Sequence, residues 1–254
     1  MTIEKQKCEK GFNTFKSEMI IIKYKKSTDV DIFFPKYNWT TKNRLYGDFK
    51  RGKIKCPYEP RYFGKGYSGE GRYNMSLNGR MTKVYIVWNS MLQRCYDSNY
   101  HKRHPSYKKC EVCEEWLNFQ NFAKWYEENY YEVEGRKMCL DKDILVKGNK
   151  IYSPKTCVFV PDNINLLLVK GDIVRGKYPI GVSYHDASNK FIVQCHNSGG
   201  KRFYLGSFND EIKAFNAYKT TKENVIKEIA DKYKNQIPKE LYEALYLYQV
   251  EITD

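Results

Sequence analysis

Hydrophobic and polar residues alternate in the first part of the chain. In residues 19–34, MIIIKYKKSTDVDIFF, the alternation surrounds a polar turn at Ser27–Asp29, which predicts a β-hairpin. We expect β structure to continue through Ile54. The glycine-rich stretch at residues 63–74 then predicts a loop or bulged ribbon, since glycine readily adopts positive φ. The pattern therefore predicts a small β-rich module over residues 1–79.

The central part of the chain changes to helical periodicity. Residues 84–97 and residues 113–131 each carry apolar side chains at i, i+3 and i+4 spacing, which predicts two amphipathic helices that pack on each other. Residues 138–169 then predict a strand, a glycine-containing turn, a second strand and a short helix that begins near Pro161–Asp162. We expect residues 80–170 to form a central module, helical at first and then ββα.

Alternation returns in the last part of the chain. Residues 178–208 contain three apolar–polar stretches separated by two turn signals, which predicts three short antiparallel strands. Asn209 or Asp210 is suited to cap the helix that follows. The expected fold class is thus α+β, with residues 177–254 forming a three-stranded antiparallel sheet packed on a helix, after a linker at Lys170–Lys177.

The charge balance narrows the class of partner. The 44 lysines and arginines exceed the 30 aspartates and glutamates, giving a formal net charge of +14. Such an excess favours a polyanion, either DNA, RNA or an anionic membrane. The longest apolar run, Met19–Ile22, is far shorter than the roughly 20 residues of a membrane span. With no visible export signal and eight scattered cysteines, the sequence predicts a cytoplasmic protein with reduced thiols, in the host cytosol if phage-encoded.

Short motifs in residues 181–223 carry a family resemblance. They are Gly181–Val182 before the first turn, Lys190–Phe191, LGSF at 205–208 and AFNAY at 214–218. This segment resembles the plant ethylene-response-factor (AP-two type) DNA-binding domain, which is also found appended to phage HNH homing endonucleases. The resemblance implies that a three-stranded sheet lies in the major groove of duplex DNA, with its outward side chains on bases and phosphates and its helix bracing the sheet.

Alternation along the middle strand assigns side chains to two faces. Phe191, Val193 and Cys195 are expected to face the helix. Ile192 and Gln194 stand where the family often has arginines, so strong recognition of guanine is not expected. The predicted DNA-binding residues are Tyr184, His185, Lys190, Gln194, His196, Lys201, Arg202 and Tyr204. The alternative is a small α+β domain with an ordinary solvated basic face.

The segment LDKDILVKGNKIYSPKTCVFVPDNIN, residues 140–165, lies where phage enzymes of this kind have an HNH nuclease motif, and its outline is similar. The resemblance implies metal-dependent DNA cleavage, which needs a metal-binding carboxylate or histidine and a histidine base. This sequence has Lys142 at the histidine position and Thr156 at the asparagine position. The HNH motif is therefore degenerate.

Two aspartates remain as candidates for chemistry in this segment. Asp141 and Asp143, one residue apart on the predicted strand, would point to the same face and could share Mg²⁺ or Mn²⁺ with help from Asn149, Asn163 or Asn165. Asp141, Lys142 and Asp143 are the candidate catalytic residues, with Lys142 as a base only if burial lowers its pKa. The alternative is that the aspartates hydrogen-bond to lysines or cap turns, in a retired nuclease kept for DNA contact.

Four cysteines are candidate ligands of a structural zinc ion. Cys110 and Cys113 form a CxxC pair, but Cys139 and Cys157 are single, whereas a structural zinc site usually shows a second close pair. Buried thiols without a ligand are the favoured interpretation, so we do not expect a structural zinc.

The sequence thus predicts a phage homing-endonuclease-like protein that binds double-stranded DNA and nicks it if a metal site is present. The second hypothesis is a catalytically inactive DNA-binding protein that acts as a regulator or as an inhibitor of a host defence protein; Lys142 favours it. A third is binding to RNA or to an acidic protein, which a basic chain with 23 tyrosines also suits.

Overall fold

The computed structural model describes residues 8–168 and 177–253 and shows an α+β fold. The predicted linker at Lys170–Lys177 lies, except for its last residue, outside the described residues. The chain divides into two compact units. In described residues, unit 1 comprises 8–128 and 150–154, and unit 2 comprises 129–149, 155–168 and 177–253.

Unit 1 begins with a four-stranded antiparallel sheet. Its strands, in both chain and spatial order, are β1 (Lys10–Phe12), β2 (Glu18–Lys26), β3 (Asp29–Phe34) and β4 (Trp39–Arg44). The predicted hairpin is confirmed, because β2 and β3 pair from Ile20 with Phe33 to Lys26 with Asp29. Alternate residues Met19, Ile21 and Ile32 are fully buried, as expected for a sheet with one face on a core.

The prediction that β structure continues through Ile54 is wrong. A short helix, α1 (Tyr46–Lys50), follows the sheet instead. Tyr46 and Phe49 are stacked with ring centroids 6.2 Å apart, and both contribute to the sheet's hydrophobic core. A spacing of three places two side chains on one face of a helix but on opposite faces of a strand, so burial of this pair favours the helix.

The rest of unit 1 is mainly helical. Its elements are β5 (Ser76–Leu77), β6 (Arg80–Met81), α2 (Lys83–Tyr96), α3 (Ser98–Arg103), a 3-10 turn (Pro105–Tyr107), β7 (Glu111–Val112), α4 (Glu114–Leu117), α5 (Phe119–Asn129) and β9 (Ile151–Tyr152). The helix predicted over residues 113–131 is therefore two helices. Asn118 breaks it, because its side chain accepts a hydrogen bond from the Gln120 amide at 3.0 Å and its neighbours pair with the backbone of Tyr67.

The two predicted amphipathic helices do pack on each other. The indole nitrogen of Trp88 in α2 donates a 2.7 Å hydrogen bond to the carbonyl oxygen of Trp116 in α4. The rings of Trp88 and Phe119 also meet edge to face, with centroids 5.5 Å apart. All three side chains are fully buried. These aromatic residues therefore belong to the core of unit 1.

Unit 2 begins with an antiparallel pair of strands, β8 (Met138–Asp141) and β10 (Val158–Pro161), followed by α6 (Asp162–Leu168). The helix begins where the sequence predicted, at Asp162. Residues Ile151–Tyr152 do not extend this pair, because β9 runs parallel to β7 in unit 1.

The remainder of unit 2 confirms the predicted sheet on a helix. Strands β11 (Val182–His185), β12 (Lys190–His196) and β13 (Arg202–Phe208) form an antiparallel sheet in that order, followed by α7 (Glu211–Tyr233) and α8 (Lys239–Tyr246). Asp210 caps α7 by accepting a 2.7 Å hydrogen bond from the Lys213 amide. Gly181 has a φ of +77°, and a Cβ there would lie 2.0 Å from the Tyr218 ring, so only glycine fits between sheet and helix.

Two hydrophobic clusters lie along α7 in unit 2. The first joins the sheet to the start of the helix, through Val193, Cys195, Ala214, Phe215, Tyr218 and Val250. The second surrounds the end of the helix and includes Ile144, Val158, Val160, Ile164, Ile226, Ile229, Leu241 and Leu245. In the described residues, no helix is both long enough and apolar enough to span a membrane.

Candidate nucleic-acid interface

The pairing of β11, β12 and β13 sorts their side chains onto two faces. Val193 and Cys195 are 0% and 1% exposed and pack towards α7. Residues directly opposite each other on antiparallel strands share a face. On the opposite face the pairs are Lys190 with His185, Gln194 with Tyr204, and His196 with Arg202. The register thus brings six of the predicted DNA-binding residues onto one face.

A β-bulge keeps the polar side chains of β13 on this face. The register shifts after Val193, which pairs with Gly206, so that Gln194 pairs with Tyr204 rather than with Leu205. Gly206 has a φ of +149°, a value that favours glycine. Without the bulge, Leu205 and Phe203 would point outward; with it, both pack against the sheet's core. The sequence alternation alone did not reveal this shift.

Tyr184 is placed differently from the other predicted DNA-binding residues. It pairs with Phe191, whose side chain packs on the helix side of the sheet, and the two ring centroids are 5.0 Å apart. Tyr178 adds a third ring, 5.8 Å from Tyr184. The Tyr184 hydroxyl donates to the side-chain oxygen of Asn189. The expectation that Tyr184 faces DNA is therefore corrected, because its register gives it the face of Phe191.

Turns hold His185, already counted on the outward face, and one further candidate, Lys201, at the ends of the strands. His185 lies before the 3-10 turn Asp186–Ser188, and its Nδ1 is 3.0 Å from Ser188 Oγ. Lys201 is exposed at the end of the β12–β13 turn, where its amide donates a 2.9 Å hydrogen bond to Asn197 Oδ1. Both side chains are therefore attached to ordered backbone beside the outward face.

The outward face is basic and hydrogen-bonding in character. None of the three strands contains an aspartate or glutamate. Lys190 and Arg202 are exposed, and Tyr204 is 58% exposed. Sequence reasoning missed Ser183 and Ser207, which the register places beside Ile192 on the same face. Their strand pairing is the signal that would have found them.

Of the two candidate acidic residues, Asp141 is the last residue of β8 and Asp143 lies in the loop that follows. β8 ends at Asp141, so the prediction that Asp141 and Asp143 share one face of a strand is wrong. Asp141 Oδ1 instead accepts hydrogen bonds from the amides of Asp143 and Ile144, both at 2.8 Å. This carboxylate turns the chain out of the strand, as side chains of aspartate do in many turns.

We call residues 141–149 the acidic loop, and Lys142 and Asn149 also lie in it. Lys142 is buried, and its ammonium group donates a 3.1 Å hydrogen bond to Asp143 Oδ2. The Asn149 side-chain nitrogen donates a 2.7 Å hydrogen bond to the Lys142 carbonyl oxygen. Asp143 thus binds a lysine, and Asp141 caps a turn. These are the contacts that the sequence analysis gave as the alternative to metal binding.

The two carboxylates of the acidic loop affect each other electrostatically. Burial, and then the negative charge of Asp143, raise the pKa of Asp141 to about 6, although two backbone amides oppose the shift. A divalent cation would relieve this repulsion. In the described residues, however, no group of three or more histidines, cysteines, aspartates or glutamates could hold a metal ion. The loop offers two carboxylates and the amide oxygen of Asn149, a set that Mg²⁺ usually completes with waters and substrate phosphates.

The CxxC pair considered for zinc is Cys110 and Cys113. Cys110 is buried, and its thiol lies 3.9 Å from the carbonyl oxygen of Ser106. Burial raises the pKa of Cys113, which favours the thiol over the metal-binding thiolate.

Comparison of the chain with protein-family models, with curated proteins and with solved structures found no match.

Proposed function

We propose that this protein binds double-stranded DNA through the outward face of β11, β12 and β13. The observation that carries the proposal is the register, which collects Lys190, Gln194, His196 and Arg202 on one face while the other face is fixed on α7. A small antiparallel sheet fits the major groove of B-DNA. Because the sheet is packed on its helix, its backbone needs little ordering on binding.

The outward residues divide into two chemical groups. Lys190, Lys201 and Arg202 carry charges that suit phosphates, which position a protein without reading sequence. Gln194 can donate to and accept from an adenine edge, and Ile192 offers an apolar contact to a thymine methyl group. We therefore propose a preference for A·T pairs at the centre of the site rather than for guanine.

The sequence resemblance supports the same partner. The face corresponds to the one that contacts DNA in ethylene-response-factor (AP-two type) domains, and the acidic loop of unit 2 corresponds to the HNH-like segment of phage homing endonucleases. Membership of that phage group is part of the proposal. So is a cytoplasmic location.

DNA binding is tested with labelled duplexes and two matched double variants. Lys190→Ala/Arg202→Ala removes two cations of the outward face, and Lys232→Ala/Lys239→Ala removes two exposed cations of α7 and α8. We expect the first to weaken binding at least about tenfold and to lower the salt slope by up to about 2, and the second to leave both unchanged. Fluorescence anisotropy at several salt concentrations measures this. Equal binding by wild type and the sheet variant would contradict the proposal.

A second candidate function is metal-dependent cleavage of the bound DNA. The observation that favours it is the adjacent pair Asp141 and Asp143, whose repulsion a divalent cation would relieve. With Mg²⁺ or Mn²⁺ bound by these carboxylates and Asn149, the metal would polarise a phosphate and activate water. A metal could reach the Asp143 carboxylate only after Lys142 moves away, since the Lys142 ammonium group contacts that carboxylate.

Cleavage is tested on supercoiled plasmid with Mg²⁺ or Mn²⁺. The control variant is Asp141→Asn/Asp143→Asn, because asparagine keeps the oxygen that accepts the loop hydrogen bonds. Nicking by wild type alone would establish the nuclease. Intact plasmid with intact binding would instead favour an inactive DNA-binding protein that acts as a regulator or as an inhibitor of a host defence protein.

A further inference from the structure

A strongly basic segment lies in unit 1, away in sequence from the sheet. We define the basic segment as residues 98–110, SNYHKRHPSYKKC, which comprise α3, the 3-10 turn and the residues up to β7. It contains no aspartate or glutamate. Its four lysines and arginines are all exposed, and they are Lys102, Arg103, Lys108 and Lys109. The segment therefore presents an excess of positive charge to solvent.

The backbone of the basic segment is held in place at both ends. Asp97 caps α3, since its Oδ1 accepts from the amides of Asn99 at 2.8 Å and Tyr100 at 3.3 Å. A ring nitrogen of His101 lies 2.8 Å from the Arg94 carbonyl oxygen. At the other end, the Cys110 amide donates to the Tyr107 carbonyl oxygen at 2.9 Å. The exposed cations are thus carried by a backbone that hydrogen bonds hold in place.

Aromatic rings connect the two halves of the segment. The Tyr100 ring lies 4.5 Å from the His104 ring and 5.8 Å from the Tyr107 ring, between centroids. These contacts join α3 to the 3-10 turn. As a result the cations of α3 and those that follow the turn form one surface rather than two independent ends.

A half-buried guanidinium lies beneath this surface. Arg94 Nη1 is 3.4 Å from the Tyr152 hydroxyl, and its Cζ is 6.0 Å from the centre of the Tyr107 ring. Burial opposes the charge, but the phenol groups of Tyr152 and Tyr107 raise the pKa of Arg94 above its usual range. In the described part of the chain, no carboxylate pairs with this arginine. Its charge therefore adds to the positive potential of the basic segment.

The composition of the surface decides the class of partner. No large hydrophobic side chain between Ile86 and Val146 is strongly exposed in the described residues. Insertion into a membrane interface requires such side chains, so the surface does not suit insertion into a lipid bilayer. Fixed cations with interleaved rings suit the phosphates of a nucleic acid.

We propose that the basic segment is a second nucleic-acid contact, which binds phosphates of duplex DNA without regard to sequence. This contact would supply affinity, whereas the sheet of unit 2 would supply recognition. The inference rests on the proposed function in taking the same partner, but it stands on different residues in a different unit.

The test compares two triple variants of the full-length chain with equal change in net charge. Lys102→Gln/Lys108→Gln/Lys109→Gln removes three of the four exposed positive charges of the basic segment. Arg103 is kept because its positive charge lowers the pKa of Asp97, which caps α3. The control neutralises three lysines of unit 1 that pair with carboxylates. These lysines are Lys10, Lys25 and Lys50, which pair with Glu18, Asp29 and Glu9.

We expect the basic-segment variant to bind a random-sequence duplex at least about tenfold more weakly, with a salt slope lowered by up to about 3, and the control to match wild type. Circular dichroism melting confirms that both variants fold. Equal binding by both triple variants, with the sheet variant impaired, would overturn this inference and leave the proposed function standing. Weaker binding by the basic-segment variant, with binding by the sheet variant unchanged, would overturn the proposed function alone. Loss of binding to poly-glutamate without loss of DNA binding would assign the surface to an acidic protein and also overturn the inference.

Discussion

Asp141 has two roles that oppose each other at the residue scale. Its Oδ1 accepts the two amides that turn the chain after β8, which favours an oxygen acceptor at this position. Its charge, however, is buried beside Asp143, so its pKa is about 6 in the folded protein, compared with about 3.9 in an unfolded chain. The folded state holds the proton more tightly, so stability falls as pH rises from about 4 to about 6 and stays lower above that.

Asp141→Asn separates the two roles, because the amide oxygen can still accept both hydrogen bonds while the charge is removed. We expect this variant to lose less stability than wild type between pH 4 and pH 6 and to be at least as stable at pH 8. Asp141→Ala, which removes the acceptor as well, should be less stable than Asp141→Asn by about 1–3 kcal/mol. Urea unfolding in the presence of EDTA measures all three. Parallel pH profiles for wild type and Asp141→Asn would contradict the assignment.

At the scale of elements, alternation predicted strands well wherever one face of a sheet is buried. The β2–β3 hairpin and the three strands of unit 2 follow it directly, since a slip by one residue would expose the apolar face. The outward residues of the candidate interface followed from the same parity. Tyr184 does not lie on that outward face, because its ring packs against Phe191. The β-bulge at Gly206 was also missed, since a change of register depends on the neighbouring strand.

The errors in the helical and acidic regions have a common cause. Asn118 interrupts a good amphipathic pattern because the glycine-rich loop near Tyr67 pairs with the backbone on either side of it. Asp143 leaves the predicted strand because Asp141 binds its amide. In both places a short polar side chain competes with regular secondary structure for backbone hydrogen bonds, and periodicity does not register that competition.

The packing of α2 against α4 offers a matched test of one hydrogen bond. Trp88 and Trp116 are both fully buried. The Trp88 indole nitrogen donates a hydrogen bond, whereas the Trp116 indole nitrogen has no partner among the residues that the structure describes. Trp88→Phe leaves the Trp116 carbonyl oxygen unsatisfied. We expect it to cost about 1–3 kcal/mol more than Trp116→Phe in urea unfolding. Equal costs would mean that ring volume, and not the hydrogen bond, holds the two helices together.

At the scale of the whole molecule, the chain divides into two units that are not simply consecutive. Residues 150–154 belong to unit 1, while the segments on either side belong to unit 2. Within unit 2, α7 is about 35 Å long and serves two clusters, one beneath the sheet and one shared with β10 and α6. The sheet that we propose to bind DNA is therefore continuous, through one helix, with the core below the acidic loop.

This sharing predicts how fragments of unit 2 behave. A fragment of residues 129–254 keeps both clusters, whereas residues 177–254 alone uncover Ile226, Ile229 and their neighbours on α7. We expect the shorter fragment to unfold with a free energy lower by at least about 3 kcal/mol, since several apolar side chains lose their burial. Val193→Ala, in the cluster beneath the sheet, should destabilise both fragments, whereas Ile229→Ala should destabilise mainly the longer one. Urea unfolding followed by circular dichroism measures these differences. If the two fragments were equally stable, the sheet would fold independently of the second cluster, and the rigidity of the proposed DNA-binding face would come from the first cluster alone.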